Sequence, residues 1–155
     1  MPELLIMRHA KSEWGTGLSS DGERPLSSRG IKAAKRMGKF ITKVGAIPDL
    51  ILSSPAVRAR TTAELANKAG KWAAPMEIVD AFYGGGLTDV LDGVAANGST
   101  AERILITGHE PTWSDLVSHL TGGSLVAMPT AGLACVSVRG DTWSRLGPGC
   151  GELQW

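Results

Sequence analysis

Two arginines and two histidines carry the chemistry that this sequence can do. Arg8 and His9 follow directly on the apolar run Leu4-Leu5-Ile6-Met7. Arg58 comes shortly after Ser53-Ser54-Pro55, and His109 follows Arg103-Ile104-Leu105-Ile106-Thr107-Gly108. A guanidinium is a permanently charged fork that matches the oxygens of a phosphoryl group. A neutral imidazole nitrogen is a nucleophile that can hold that group covalently. A second, cationic histidine can stabilise the equatorial oxygens in the transition state. Phosphoryl transfer asks mostly for positioning and charge stabilisation, so such a set can suffice without a metal. Taken singly, each arginine reads equally as a salt-bridge partner, His9 as a core histidine and His109 as a loop-orienting group. The phosphate reading depends on convergence, and convergence depends on the fold.

The elements around these residues supply it. Short apolar runs alternate with helical patterns. Leu4–Met7, Leu50–Leu52 and Arg103–Thr107 read as strong buried strands, and Met76–Val79 as a weaker one. Ser27–Val44 reads as a helix capped by Ser27 or Ser28, with Ile31, Ala34, Met37, Phe40 and Ile41 recurring at three and four. A second helix begins near Pro55 and ends at about Gly70, a third spans Thr88–Ala96, and a fourth runs from Pro111 to about Thr121. Cys135–Val138 and Thr142–Leu146 read as a closing hairpin around Arg139-Gly140-Asp141. Gly84–Gly86 and Gly122–Gly123 read as loops. Strands separated by helices predict an α/β fold, three-layered, with a mainly parallel central sheet flanked by helices. Ligands of such sheets sit beyond the carboxyl ends of the strands. Those ends are where Arg8-His9, Ser53-Ser54 and Gly108-His109 lie. The helix start at Pro55–Arg58 adds a dipole favourable to an anion.

The bulk properties exclude several other classes. At 155 residues the chain suits a single domain, residues 1–155. Net charge is +1, so a general nucleic-acid or anionic-membrane surface is not indicated. No apolar run is long enough to span a bilayer, and no leader pattern opens the sequence, which predicts a cytoplasmic protein with no membrane partner. Cys135 and Cys150 are too few for a disulfide framework. His9, His109 and His119 have no metal-ligand spacing around them, so no metal and no cofactor are expected. The tryptophans do not interleave with basic residues as a nucleic-acid stacking platform requires.

Three blocks add a resemblance. Met7-Arg8-His9-Ala10-Lys11-Ser12 resembles the Arg-His signature of the histidine phosphatase superfamily, also called phosphoglycerate mutase-like. Ser53-Ser54-Pro55-Ala56-Val57-Arg58-Ala59-Arg60-Thr61-Thr62-Ala63-Glu64 resembles its second block, and Gly108-His109-Glu110-Pro111 its third. With Asp21…Arg24-Pro25-Leu26-Ser27…Gly30, the chain is most similar to the small phosphohistidine phosphatases of the SixA type. The resemblance covers about Leu4 to Leu120. It implies that His9 is the nucleophile, that Arg8 and Arg58 bind phosphoryl oxygens, that His109 completes the pocket, and that water hydrolyses the intermediate.

The departures bear on substrate. The mutase branch has Gly, Glu and Asn where this chain has Ala10, Lys11 and Gly15, and it places a carboxylic acid well after the second block. Here that region reads Asp80-Ala81-Phe82-Tyr83-Gly84-Gly85-Gly86, without Glu. There Asp80 reads as ending a strand and Tyr83 as packed. A sugar-phosphate ester needs its leaving alkoxide protonated, whereas the imidazole of a phosphoramidate leaves far more readily. A phosphatase for phosphohistidine on a protein, such as a phosphotransfer domain or phosphocarrier, is therefore expected. The alternatives are a phosphatase for a small phosphomonoester and a non-catalytic phosphate- or phosphoprotein-binding module. Arg24, Ser12 and Glu110 are candidate rim residues. Glu110 also suits the start of the helix at Pro111, and Lys11 reads as a surface charge.

Overall fold

The computed structural model describes residues 1–155 except Thr16, Ser19 and Ser99. Its elements are β1 (Glu3–Arg8), α1 (Ser28–Lys43), β2 (Leu50–Ser53), α2 (Val57–Gly70), β3 (Met76–Ile78), α3 (Leu87–Gly98), β4 (Arg103–Gly108), α4 (Thr112–Leu120), β5 (Leu133–Val138) and β6 (Gly151–Leu153). The sheet order is β3-β2-β4-β1-β5-β6. β1, β2, β3 and β4 pair in parallel, while β5 runs antiparallel to both β1 and β6.

Alternation along the strands sorts side chains to two faces. Leu4, Ile6, Ile104, Ile106 and Leu52 pack with Val90, Val94, Trp113, Leu116 and Val117 of α3 and α4. Leu5, Met7, Ile51 and Leu105 pack with Ile41 of α1 and with Ala63 and Ala66 of α2. Burial on both faces is why β1 is continuously apolar rather than alternating, and the three-layer expectation holds. α1 and α2 lie close because Gly38 of α1 meets the Ala66 backbone of α2, where a Cβ would come within 2.2 Å of the carbonyl oxygen. Ser27 caps α1 by accepting from Gly30 N at 3.1 Å.

The predicted closing hairpin is corrected. Thr142–Leu146 is not a strand; Trp143–Arg145 forms a 3-10 turn, and β6 supplies the partner of β5 instead. Tertiary packing diverts this segment. Trp143 is 2% exposed, its ring lies over Gly98 at the end of α3, and its Nε1 donates to Ala101 O at 2.7 Å. Cys135 is buried and unpaired, with its thiol pushed up to about 11 by burial. No helix among the described residues is long and apolar enough to cross a membrane.

Candidate active site

Strand register brings the predicted residues to one rim. Arg8 at the end of β1 pairs with Gly108 at the end of β4, and Ser53 at the end of β2 pairs with Thr107. The residues just beyond, His9, Ser54 and His109, therefore emerge at the same level. A cleft of about 270 Å³ there is lined by Arg8, His9, Arg58 and His109, with Lys11, Ser12, Trp14, Arg24, Glu110 and Thr130 around them. All four predicted chemical residues and all three candidate rim residues meet in it.

His9 is held from both sides. Its amide donates to Gly108 O at 3.0 Å, and its carbonyl accepts from Ala131 N at 3.0 Å. The next amide, of Ala10, donates to Thr62 Oγ1 at 3.0 Å, and that hydroxyl donates to Arg58 O at 2.6 Å. Thr62 thus ties the loop after β1 to the helix that carries Arg58. Beyond it, the Lys11 carbonyl packs so tightly on α1 that a Cβ at Gly30 would lie 2.1 Å away.

The same clamp sets the imidazole's chemistry. His9 Nδ1 lies 2.7 Å from Ala10 O. A carbonyl only accepts, so Nδ1 carries the proton and Nε2 keeps the lone pair. Burial, together with the charges of Arg58, Arg8 and Arg24, lowers the His9 pKa to about 4 against an opposing contribution from the Ala10 bond. At neutral pH the ring is an uncharged nucleophile. NMR titration of the His9 ring is expected to give a midpoint near 4, and a midpoint near 6.5 would overturn this description.

His109 sits beside it, with ring centroids 5.4 Å apart. Its Nε2 lies 2.7 Å from Ser54 Oγ, which already accepts from Ala56 N at 3.2 Å. When the Ser54 hydroxyl donates to Nε2, the His109 proton sits on Nδ1. The expectation of a cationic second histidine is corrected. Burial, then the charge of Arg58, lower its pKa to about 4, so in the free cleft it is neutral at pH 7. A neutral Nδ1–H still donates, and a phosphoryl dianion beside it would raise the pKa. Both histidines bind protons more readily in the unfolded chain, where the pKa is near 6.5. They therefore lose stability for the fold as pH drops from about 6.5 towards 4.

Three buried donors around this cleft have no partner among the described residues: Arg8 Nε, Arg58 Nε and His109 Nδ1. One arm of Arg8 and both arms of Arg58 are fixed. Arg8 Nη1 donates to Met128 O at 3.0 Å. Arg58 Nη1 donates to Asp21 O and Nη2 to Asp21 Oδ2, both at 2.9 Å. Unsatisfied buried donors are costly, and an anion in the cleft could satisfy all three.

Asp21 is the residue that sequence reasoning missed. It was visible only as part of a block, without a role. It lies in a 3-10 turn, Asp21–Glu23, that comes over the site. Its carboxylate accepts from Arg58, from Arg24 Nη1 at 3.1 Å and from Tyr83 Oη at 2.7 Å. The Tyr83 bond, then those of Arg24 and Arg58, holds it well below the usual carboxylate range. Arg24 in turn donates to Ser12 Oγ at 2.6 Å and lies 3.4 Å over the Trp14 ring. Tyr83 is more than packing, since its ring stands edge-on to His109 and its phenol pKa is raised, chiefly by the bond to Asp21.

Asp21→Ala should free Arg58 Nη2, remove one bond of Arg24 and lower kcat/KM by about tenfold or more, as loss of positioning does. Tyr83 is the chain's one tyrosine, so ultraviolet titration reads it directly. Its phenol pKa should fall in the variant, and an unchanged titration would mean that this triad does not exist in solution.

Glu110 engages its carboxylate with Ser114, through Ser114 N at 2.9 Å and through the Ser114 hydroxyl. It anchors the start of α4, as the helix-start reading expected. Among the described residues, no group of three or more His, Cys, Asp or Glu side chains is placed to hold a metal ion.

Comparison with known proteins decides the family. The model for the histidine phosphatase superfamily (branch 1) matches residues 4–83, more than half of the chain. This protein belongs to the histidine phosphatase superfamily. An uncharacterized protein of Mycobacterium tuberculosis is 34% identical over 95% of this chain and 96% of its own. An uncharacterized chloroplastic protein of Arabidopsis thaliana is 30% identical over 97% of this chain and 75% of its own. Among solved structures, a candidate SixA phosphohistidine phosphatase from Nakamurella multipartitia superposes with TM-score 0.84 at 28% identity, covering 99% of this chain and 94% of that one. A SixA protein histidine phosphatase complexed with tungstate shares the fold, with TM-score 0.83 at 23% identity over 99% and 94% of the two chains. As a histidine phosphatase this protein is a hydrolase with the phosphoglycerate mutase-like architecture, and its SixA-type neighbours match the resemblance read from the three blocks.

Proposed function

We propose that this histidine phosphatase hydrolyses phosphohistidine on a protein through a covalent phosphohistidine intermediate at His9, without a metal. One observation carries the reading. Among the described residues, a neutral His9, its proton held on Nδ1, stands beside three unpartnered donors on Arg8, Arg58 and His109, with no free carboxylic acid among them. Nε2 attacks phosphorus, and the bond from phosphorus to the leaving group breaks. The three donors receive the charge on the equatorial oxygens. Water then attacks the phosphoryl group, releases inorganic phosphate and returns the electron pair to Nε2.

The proton inventory bears on the substrate. Asp21 is held ionised and Glu110 is engaged with Ser114. Asp21 is therefore not equipped to protonate an alkoxide at neutral pH, and both oxygens of Glu110 accept from Ser114. An imidazole leaving group makes the smaller demand. The experiment compares a phosphohistidine protein with an aryl phosphate, in chelator, for wild type and His9→Ala. Fast, His9-dependent release from the protein with slow ester turnover is the expected outcome, and chelation should leave it unchanged. Ester turnover equal to or faster than protein turnover would assign a small-molecule substrate. Phosphate binding with no turnover would assign a binding module. Activity lost in chelator and restored by a metal ion would refute metal independence.

A further inference from the structure

The cations of this chain are unevenly placed. No carboxylate occurs from Arg24 to Pro48, and α1 alone carries Arg29, Lys32, Lys35, Arg36, Lys39 and Lys43. At 100° per residue all six fall within about 120° of the helix circumference. Arg29, Lys32, Arg36, Lys39 and Lys43 follow a spacing of three and four along one line. All six are exposed, while the opposite face buries Gly30, Ala34, Gly38 and Ile41. No side chain of the six is ion-paired within the described residues, although Arg24, Arg58, Arg60 and Arg103 all are. The whole chain carries only +1, so the remaining elements are net acidic.

Folding does not account for this stripe. Like charges three and four apart repel along a helix. Two of them, Arg29 and Lys32, sit at the positive end of the dipole, where the first turn holds no acid. What the stripe adjoins is the active-site cleft. A groove of about 340 Å³ is lined by Lys11, Arg29, Lys32, Ala33, Arg36 and Thr130, and Lys11 and Thr130 line the cleft as well. From Arg29 to Lys43 the stripe runs about 21 Å, the length of a protein helix of four turns.

We propose that the α1 stripe is the docking surface for the acidic face of the phosphorylated protein substrate, and that it sets that face against the cleft. This rests on the phosphohistidine reading above and names where that protein binds. Complementary charge accelerates encounter and fixes register. A long nucleic acid would meet the net-acidic remainder of the chain, and the groove offers it no aromatic platform. A membrane would need a continuous apolar helix face; α1 buries Ala34 and Ile41, and its exposed Ile31 and Phe40 lie on opposite sides of the helix.

The test combines Lys32→Glu, Arg36→Glu and Lys39→Glu in the full chain, none of which lines the catalytic cleft itself. The probes are a phosphohistidine phosphocarrier with acidic residues around its phosphorylated histidine, and an aryl phosphate. For the triple variant kcat/KM on the protein should fall by roughly ten- to a hundredfold, the scale of lost electrostatic steering. Aryl phosphate turnover should stay within about twofold, because the three side chains are exposed, line no part of the cleft and are screened by salt. Wild-type turnover of the protein should weaken with added salt and the variant's should not. Melting temperature should hold or rise, since glutamates relieve the repulsion.

Equal losses on both probes, or none, would overturn docking at α1 while leaving the phosphatase reading intact. Calorimetric binding of the phosphocarrier keeps the two questions apart. Binding that the triple variant weakens supports the stripe even where the wild type turns over neither probe, an outcome that would instead defeat the function proposed. No binding to the wild type would overturn the stripe. Loss of affinity for duplex DNA or for phosphatidylserine vesicles, with phosphocarrier affinity unchanged, would assign the surface to those partners and overturn this one.

Discussion

His9→Ala should fold, retain phosphate and lose turnover by on the order of 10⁴-fold or more, the scale seen when a covalent nucleophile is removed. Retention of the fold follows from the backbone. The bonds from His9 N to Gly108 O and from Ala131 N to His9 O do not involve the imidazole, and neither does the Ala10 bond to Thr62. The side chain removed is a buried ring flanked by three arginine charges, which stabilises little by itself. Retention of phosphate follows because Arg8, Arg58 and His109 remain. Loss of turnover follows because no other neutral nucleophile stands there: His109 spends Nε2 on Ser54. Stopped reactions of wild type with substrate, analysed by intact mass, should show one phosphoryl group on the chain, and the variant should show none. Turnover near the wild-type rate in His9→Ala would exclude His9 as the nucleophile.

Arg58→Ala should cost about 3–4 kcal/mol of transition-state stabilisation, the scale of removing one preorganised donor from a developing oxyanion. Two effects combine in it. The buried, unpartnered Nε donor is lost, and so are the two bonds that hold Asp21 in place. The Asp21 charge then faces the incoming phosphoryl dianion with Arg24 and Tyr83 alone against it. Arg58→Lys should rescue only partly, since one ammonium cannot bond Asp21 O, Asp21 Oδ2 and substrate in the geometry of a fork. The fold itself should lose little, because removing one of three clustered guanidinium charges relieves repulsion. Measured kcat/KM indistinguishable from wild type in Arg58→Ala would remove Arg58 from the pocket.

Much of this was legible in the order of residues. Leu4–Met7 and Arg103–Thr107 are apolar without alternation, which only burial on both faces rewards, so a covered parallel sheet was expected and is present. Arg8-His9 and Gly108-His109 each follow their strand without a turn residue, so the residue types and their place at strand ends were set locally. The helix limits followed from periodicity and caps, with Ser27 capping α1 as its side chain allows. The contacts that govern reactivity were not written locally. Thr142–Leu146 has strand-like residues, yet Trp143 found a place over Gly98 that a strand would forfeit. Asp21 is separated by 37 residues from Arg58 and by 62 from Tyr83, and nothing in its neighbours announces either partner. The charge of His109 depends on burial and on Arg58, and those exist only once the rim is assembled. Residue type and period are properties of neighbouring positions along the chain. Desolvation and long-range ion pairing depend on which surfaces meet, so the sequence alone determined the parallel strands, the helices and the candidate nucleophile, and the tertiary structure decided the sheet's last strand, the protonation of both histidines and what holds the second arginine.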